Sequence, residues 1–276
     1  MENTRSYFRN RSSRYTRGPL TALRSLHYVW FMIEVTALSK SYGATMAVDT
    51  LSFSVAPGEV LGLVGPNGAG KTTTLRSLCG IISPSAGSIR IAGYDLQTEG
   101  PQAKSVLAFV PDEPHLFDYL TVEEHLRFVG RLYGVADAPS RAPMLLEELE
   151  LTDKRRSLPG ELSRGMKQKL AIACGLLHNP KVLILDEPLT GLDPSGIKKM
   201  RTTISARARD GAAVILSSHL LNLVEELCTT LLVIRRGRCV ARGSLAQIVA
   251  DRPDLAGQSL EDIFLKLTGD AGSPTL

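Results

Sequence analysis

The segment GPNGAGKT, Gly65 to Thr72, follows the short apolar run VLGLV at 60–64 and precedes a stretch with helical periodicity. It fits the pattern GxxxxGK[ST], in which glycines let backbone N–H groups converge on phosphate oxygens. Lys71 then places a positive charge at the β- and γ-phosphates, and the Thr72 hydroxyl can ligate Mg²⁺. The alternative is a fortuitous glycine-rich turn. The predicted nucleotide-binding residues of this segment are Gly65, Pro66, Asn67, Gly68, Ala69, Gly70, Lys71, Thr72 and Thr73.

The surrounding pattern predicts a strand buried on both faces of a parallel sheet at 60–64 and a helix from about Gly70 to Cys79. Farther along, VLILDEP places Asp186 and Glu187 at the carboxyl end of a second apolar run. A carboxylate there is expected beside the phosphate site. Asp186 would hold Mg²⁺, directly or through water, and Glu187 would orient or deprotonate the attacking water. The alternative is a solvated turn closed by Pro188.

Strands alternate with helices in the second half of the chain, which predicts a parallel sheet with right-handed crossovers. The predicted helices are 163–178, 195–209 and 220–227, and the predicted strands are 182–185, 213–216 and 230–234. In the first half, short apolar runs broken by glycine and proline between 33 and 60 indicate strands joined by turns. A further strand and turn are predicted at 88–96, and another strand at 107–110.

Two further stretches have helical periodicity. The first, from Thr121 to about Leu151, opens with the capping-box spacing from Thr121 to Glu124 and interrupts the α/β pattern. The second, Ser259 to Leu267, is amphipathic and is expected to pack against the body or a partner.

The charge of the chain is concentrated at one end. Six arginines and one glutamate give residues 1–31 a net charge of +5. The whole chain has a net charge of +4, so the other 245 residues total −1. This near-neutral body argues against a nucleic-acid partner. The basic leader is interpreted as a disordered tail, a targeting segment, a membrane-surface patch or the product of an upstream start codon.

Apolar and cysteine patterns limit the class of protein further. The longest candidate for a membrane segment, YVWFMI at 28–33, has six residues against the roughly 20 that span a bilayer. The four cysteines show neither CxxC spacing nor clustering with histidine, so we expect a reducing compartment and no disulfide.

Several motifs occur in a characteristic order: the phosphate-binding loop, LSRGM (162–166), LILDEP (183–188), GLDP (191–194) and SSH (217–219). This order resembles the ATPase subunit of ABC transporters over about residues 32–243. The resemblance implies an α/β fold: a P-loop NTPase core with a mainly parallel sheet, an N-terminal antiparallel β subdomain and an inserted α-helical subdomain. We expect an ATPase domain at 32–245, its helical subdomain at about 114–165, and a helical tail at 246–276.

The resemblance also assigns roles to single residues. Ser163 and the backbone at Gly165 would bind the γ-phosphate of an ATP held by a second subunit. Tyr42 would stack on adenine, Asp193 would communicate across the dimer, and His219 would contact the γ-phosphate. The alternatives are a core aromatic for Tyr42, a helix N-terminal residue for Asp193 and a helix cap for His219.

Three positions depart from the family pattern. LSRGM has Arg164 where glycine is usual and Met166 where glutamine is usual. After the strand at 107–110, the family has a glutamine that reaches Mg²⁺, whereas this chain has Asp112. A carboxylate can ligate Mg²⁺, so Asp112 is retained as a predicted metal ligand beside Thr72 and Asp186.

The resemblance implies that ATP and Mg²⁺ close two such subunits, identical or related, and drive a separate transmembrane permease from the cytoplasmic face of the membrane. Three segments are similar to subunits of type-2 exporters, which suggests export: VPDEP (110–114), SRGMKQ (163–168) and the SLEDIFLKLTG tail (259–269). Two alternatives are an ABC ATPase of DNA repair or ribosomes and a P-loop phosphotransferase. The former lacks support because neither a coiled-coil insertion nor a tandem domain is present, and the latter leaves LSRGM unexplained.

Overall fold

The computed structural model describes residues 31–269, in which strands form two sheets of different kinds. The strands are β1 Ile33–Tyr42, β2 Thr45–Val55, β3 Val60–Val64, β4 Ala86–Ile91, β5 Tyr94–Asp95, β6 Leu107–Val110, β7 Val182–Asp186, β8 Ala213–Ser217, β9 Thr230–Arg235 and β10 Arg238–Gly243. The helices are α1 Lys71–Leu78, α2 Gly100–Ser105, α3 Val122–Leu132, α4 Ala138–Glu148, α5 Arg164–Leu176, α6 Pro194–Arg209, α7 Leu221–Leu227, α8 Leu245–Asp251 and α9 Leu260–Thr268.

One sheet is antiparallel, with the order β2-β1-β4-β5, and the other has the order β10-β9-β3-β8-β7-β6. The second sheet is parallel except for its edge strand β10, which runs antiparallel to β9. Apart from Asp186 and Ser217 at the ends of β7 and β8, its central strands β3, β7 and β8 are apolar. Their side chains alternate between two cores: Val182 and Ile184 face one, whereas Leu183 and Leu185 face the other. This two-sided burial explains why these strands are continuous apolar runs. The predicted α/β fold class is confirmed.

The helical segment that follows β6 is built as its sequence predicts. Thr121 Oγ1 accepts a hydrogen bond from the Glu124 backbone N–H, and the Glu124 carboxylate accepts one from the Thr121 N–H. Helices α3 and α4 then pack with α5 around one apolar core that also covers a face of the parallel sheet. The start of α5 is therefore held between the helical segment and the sheet.

The amphipathic stretch near the C-terminus forms α9, and Ser259 caps it by accepting a hydrogen bond from the Asp262 N–H. Leu260 and Ile263 are buried in a small core with β9, α7 and α8. Of the basic leader, only Phe31 is within the described residues. Between residues 31 and 269, no helix combines the length and the apolar character that crossing a bilayer demands.

Candidate nucleotide-binding site

The phosphate-binding loop connects the buried end of β3 to the start of α1. Gly70 precedes the helix with φ 103°, a conformation that favours glycine, and a Cβ there would collide with the Ala47 carbonyl oxygen. Lys71 is half-buried, and its Nζ donates to the carbonyl oxygens of Gly65 (2.5 Å) and Pro66 (3.3 Å). Burial lowers the pKa of Lys71, although the carboxylates of Glu187 and Asp186 oppose this.

Strand register brings the acidic end of β7 to the same edge of the sheet. Asp186 lies beside Ser217 of β8, and Ser217 in turn lies beside Leu63 of β3. The buried Asp186 carboxylate accepts a 2.5 Å hydrogen bond from the Ser217 hydroxyl. This bond fixes one carboxylate oxygen in a direction set by the sheet.

Glu187, the next residue, turns out of the strand with φ 49°, a left-handed conformation that costs a non-glycine residue free energy. Its backbone N–H donates to the Ser217 carbonyl oxygen at 3.1 Å, which holds this turn in place. The Glu187 carboxylate lies 2.8 Å from Nδ1 of His219 and also accepts from the His219 N–H at 3.3 Å. Because a carboxylate only accepts, Nδ1 carries the proton in this contact.

These elements border a cleft of about 720 Å³. Of the predicted site residues, it is lined by Tyr42, Pro66, Asn67, Gly68, Ala69, Gly70, Lys71, Thr72, Thr73, Asp112, Asp186, Glu187 and His219. Gly65 lies at the base of the loop, where a Cβ would collide with the Ile234 carbonyl oxygen. Tyr42 is about half exposed at the cleft, with Lys40 Nζ 5.2 Å from its ring centroid.

The polar groups of the cleft fit a hydrated divalent cation beside a phosphate. Hydroxyl and carboxylate oxygens, the ligands that Mg²⁺ prefers, are offered by Thr72 and Asp186. The buried Thr190 hydroxyl in the same wall has no hydrogen-bond partner among residues 31–269. An orphaned buried donor of this kind indicates that water or a ligand completes the site.

Ser163, Gly165 and Asp193 do not line this cleft in the described part of the chain. Ser163 caps α5, since its hydroxyl accepts from the Met166 N–H at 3.3 Å. Asp193 caps α6, since its carboxylate accepts from the Gly196 N–H at 3.1 Å, which matches the helix-terminal alternative. Both helix N-termini therefore carry the preferred type of cap. Any role of Ser163 or Asp193 beyond capping must involve a ligand that is not bound in this chain's own cleft.

Asp112 lines the cleft but is bound by a residue of α5. Nη2 of Arg164 lies 3.1 Å from Oδ1 of Asp112, so two of the positions that depart from the family pattern contact each other. No local sequence pattern predicts this ion pair, because the two residues are 52 positions apart. Sequence reasoning also missed Ala47, Arg76, Phe109, Glu113, His115 and Thr190, which line the cleft from outside the motifs.

A cleft of this construction, with its glycine loop, lysine and strand-end carboxylates, places the chain among the P-loop nucleoside triphosphatases. A family model described as "ABC transporter" matches residues 48–190. "Nod factor export ATP-binding protein I" of Paraburkholderia xenovorans (strain LB400) is 43% identical over 220 residues, 79% of this chain and 72% of the relative. "ABC-type transporter ATP-binding protein EcsA" of Bacillus subtilis (strain 168) is 33% identical over 244 residues, 87% and 98% of the two chains.

The solved "Structure of ATP binding subunit of ABC transporter" is 36% identical, with a TM-score of 0.82, and covers 86% of this chain and 99% of that one. The chain belongs to the ABC transporter family, in which it is an ATP-binding subunit and an ATPase. The resemblance read from the motifs is confirmed. Membership implies a transmembrane partner with which this subunit associates peripherally.

We predict that Gly165→Ala destabilises the protein, although alanine is the better helix former by about 1 kcal/mol. Gly165 is buried in α5, and a Cβ there would lie 2.6 Å from the Gly191 carbonyl oxygen. Relieving such overpacking costs about 1–3 kcal/mol, so the net change in the free energy of unfolding is a loss. Urea denaturation measures it.

Gly175→Ala is the matched control, because Gly175 lies in the same helix and its Cβ would make ordinary contacts at 3.4 Å and beyond. We expect Gly175→Ala to be neutral or stabilising. Equal stability of the two variants would contradict the close packing of α5 on the Gly191 loop.

Proposed function

We propose that this chain hydrolyses ATP with Mg²⁺ as one of two paired subunits, identical or related, and thereby drives a separate permease. The cytoplasmic face of the membrane is the proposed location, with no nucleic-acid partner. The observation that carries the proposal is that the N-terminus of α5, capped by Ser163, lies outside the cleft that contains Lys71, Asp186 and Glu187. We assign residues 32–245 to the ATPase domain, about 114–165 to its helical subdomain, and 246–276 to the tail.

ATP would lie along the cleft with its phosphates at the loop. Lys71 would turn from the carbonyl oxygens of its own loop to the β- and γ-phosphates, which is a small movement for a flexible ammonium chain. The amides of residues 67–73 would donate to phosphate oxygens at the positive end of α1. Tyr42 would offer its ring to adenine from its half-exposed position.

Thr72 and Asp186 are the residues we assign to Mg²⁺. The ion, when bound, neutralises charge on the phosphates. Asp186 is already fixed by Ser217, so a buried carboxylate is held in place before the ion arrives. Asp112 is the third predicted ligand, but in this conformation its carboxylate is engaged by Arg164.

Glu187 is assigned as the group that orients and deprotonates water. It leaves the strand in a strained conformation fixed by Ser217, and His219 holds one of its carboxylate oxygens. The other oxygen remains to accept a proton from water. His219 would thus orient Glu187, and its ring, about two-thirds exposed, would be free to approach the γ-phosphate.

The second subunit would contribute Ser163 and Gly165 to this γ-phosphate. A helix N-terminus with exposed N–H groups attracts an anion, and the cleft of the same chain does not use it. Head-to-tail pairing of two copies would bury each ATP between a loop and an α5 terminus. Asp193, at the start of α6 and close in sequence to the Gly191 loop, would transmit the arrival of the partner.

The helical segment is proposed to receive the permease. It exposes large apolar side chains, including Tyr119 at 93%, Phe117 at 55% and Phe128 at 42%. Phe117 and Phe128 pack edge to face at 5.2 Å, and the Phe117 N–H donates to His125, so these exposed rings are held rather than free. Export is the proposed direction, because the relative from Paraburkholderia is named an export protein.

The experiment that tests this function incubates purified protein with ATP, with and without Mg²⁺, and measures phosphate in solution. Release of one phosphate into water per ADP formed, dependent on Mg²⁺, is expected. Transfer of the phosphoryl group to an added metabolite, with no free phosphate, would instead make the chain a phosphotransferase. The permease partner is tested by asking whether a transmembrane protein co-purifies with this chain from its own membranes.

A further inference from the structure

Arg164 connects three loops of the site within one chain. Its guanidinium lies 3.1 Å from Asp112, which follows β6, and its backbone begins α5 next to Ser163. Its aliphatic stem covers Gly191, since a Cβ at Gly191 would lie 3.1 Å and 3.2 Å from Cδ and Cγ of Arg164. The side chain thus has a contact at both its stem and its head.

The charges at the cleft explain what this contact does. Asp112 is one of four carboxylates that line a cleft that must accept a triphosphate, the others being Glu113, Asp186 and Glu187. Lys71 is the loop cation, and the carboxylates of Glu187 and Asp186 already act on it. An uncompensated carboxylate at 112 would therefore repel the nucleotide.

We propose that Arg164 is a positioning residue for ATP binding, which holds the Asp112 carboxylate at the start of α5 and neutralises its charge beside the triphosphate. This inference rests on the proposed nucleotide site. It also accounts for two departures from the family pattern together, since a carboxylate at 112 calls for a cation within reach. Arg164, the residue after the Ser163 cap, supplies that cation.

The pair is too exposed to be a fixed structural brace. The two side chains are 56% and 44% exposed, and a pair of this kind contributes about 0–1 kcal/mol to stability. Its effect should therefore appear in the binding of an anion rather than in the free energy of unfolding. The effect should also shrink as salt rises, because exposed charges are screened over about 8–10 Å near physiological ionic strength.

The test is a double-mutant cycle read by the affinity for a fluorescent ATP analogue, in EDTA and in Mg²⁺. Arg164→Gln should weaken binding about three- to tenfold at low salt, and Arg164→Lys should restore part of the loss because it keeps the charge. In EDTA, Arg164→Gln combined with Asp112→Asn should bind about as tightly as the unaltered protein, because no charge is left at 112 to neutralise.

Arg127→Gln is the matched control. It breaks the Arg127–Glu123 ion pair, which has nearly the same exposure, 56% and 47%, but belongs to α3 away from the cleft. We expect it to leave the affinity unchanged, and all variants to unfold at similar urea concentrations.

Three outcomes would overturn the inference. If the double variant stays as weak as Arg164→Gln, the arginine acts by packing on Gly191 alone. If Arg164→Gln tightens binding, or changes it only with Mg²⁺ present, Arg164 competes with the metal for Asp112 instead. Unchanged affinity in every variant would leave Arg164 without a role, whereas failure of the unaltered protein to bind ATP would refute the proposed function itself.

Discussion

Glu187→Gln is expected to lower the rate of ATP hydrolysis by about 10²- to 10⁴-fold, the range for loss of a general base, while ATP still binds. The amide keeps the size of the side chain and can still accept from His219, but it cannot take a proton from water. ATP then persists, and the variant should elute as a dimer with ATP and Mg²⁺ in size-exclusion chromatography.

Glu225→Gln is the matched control, since Glu225 is an exposed glutamate of α7 outside the cleft. It should hydrolyse ATP at the unaltered rate. Full activity of Glu187→Gln would show that another group is the base. A Glu187→Gln protein that stays monomeric when saturated with ATP would contradict the closure of two subunits around the nucleotide.

The site could be predicted from sequence wherever one short motif determines a whole local structure. The strand, glycine loop and helix around Lys71 leave few conformations open, and the predicted helix from about 70 to 79 is α1, Lys71–Leu78. The carboxylates of VLILDEP were placed for the same reason, because a parallel strand delivers its last residue to a known edge of the sheet.

Contacts between distant segments could not be predicted in this way. Arg164 and Asp112 meet because α5 packs against β6, and nothing in either local sequence encodes that approach. From sequence alone, Arg164 and Asp112 are two unrelated departures from the family pattern, and their ion pair is not predicted. The hydroxyl of Thr190 was missed similarly, since its burial depends on the tertiary fold.

Elements without a strong hydrophobic period were also missed. Strand β10 reads RCVARG and is largely exposed, because it lies at the edge of the sheet and buries little of either face. Helix α2 has six residues, too few for a 3.6-residue period to become evident. The amphipathic stretches that form α3 and α9 have a clear period, and the sequence predicts the residue at which each begins, Thr121 and Ser259.

The second large effect concerns the pairing of subunits. Lys71→Met and Ser163→Asp should each abolish hydrolysis alone. The first removes the positive charge that binds the phosphates, and the second adds a negative charge that repels the γ-phosphate. Aspartate is as good a helix N-cap as serine, so Ser163→Asp alters the ligand contact while preserving the start of α5. A mixture of the two proteins should nevertheless hydrolyse ATP, measured as released phosphate.

Recovery is expected because each mixed dimer contains one site made from the intact loop of one subunit and the intact α5 terminus of the other. With random pairing at equal amounts, half of the dimers are mixed and half of their sites are intact, which gives about a quarter of the unaltered rate if the two sites of the dimer act independently. Ser163→Asn, which caps the helix without adding charge, should keep much of its own activity. If tagged pull-downs recover mixed dimers that remain inactive, the prediction that two subunits share independently acting ATP sites is wrong.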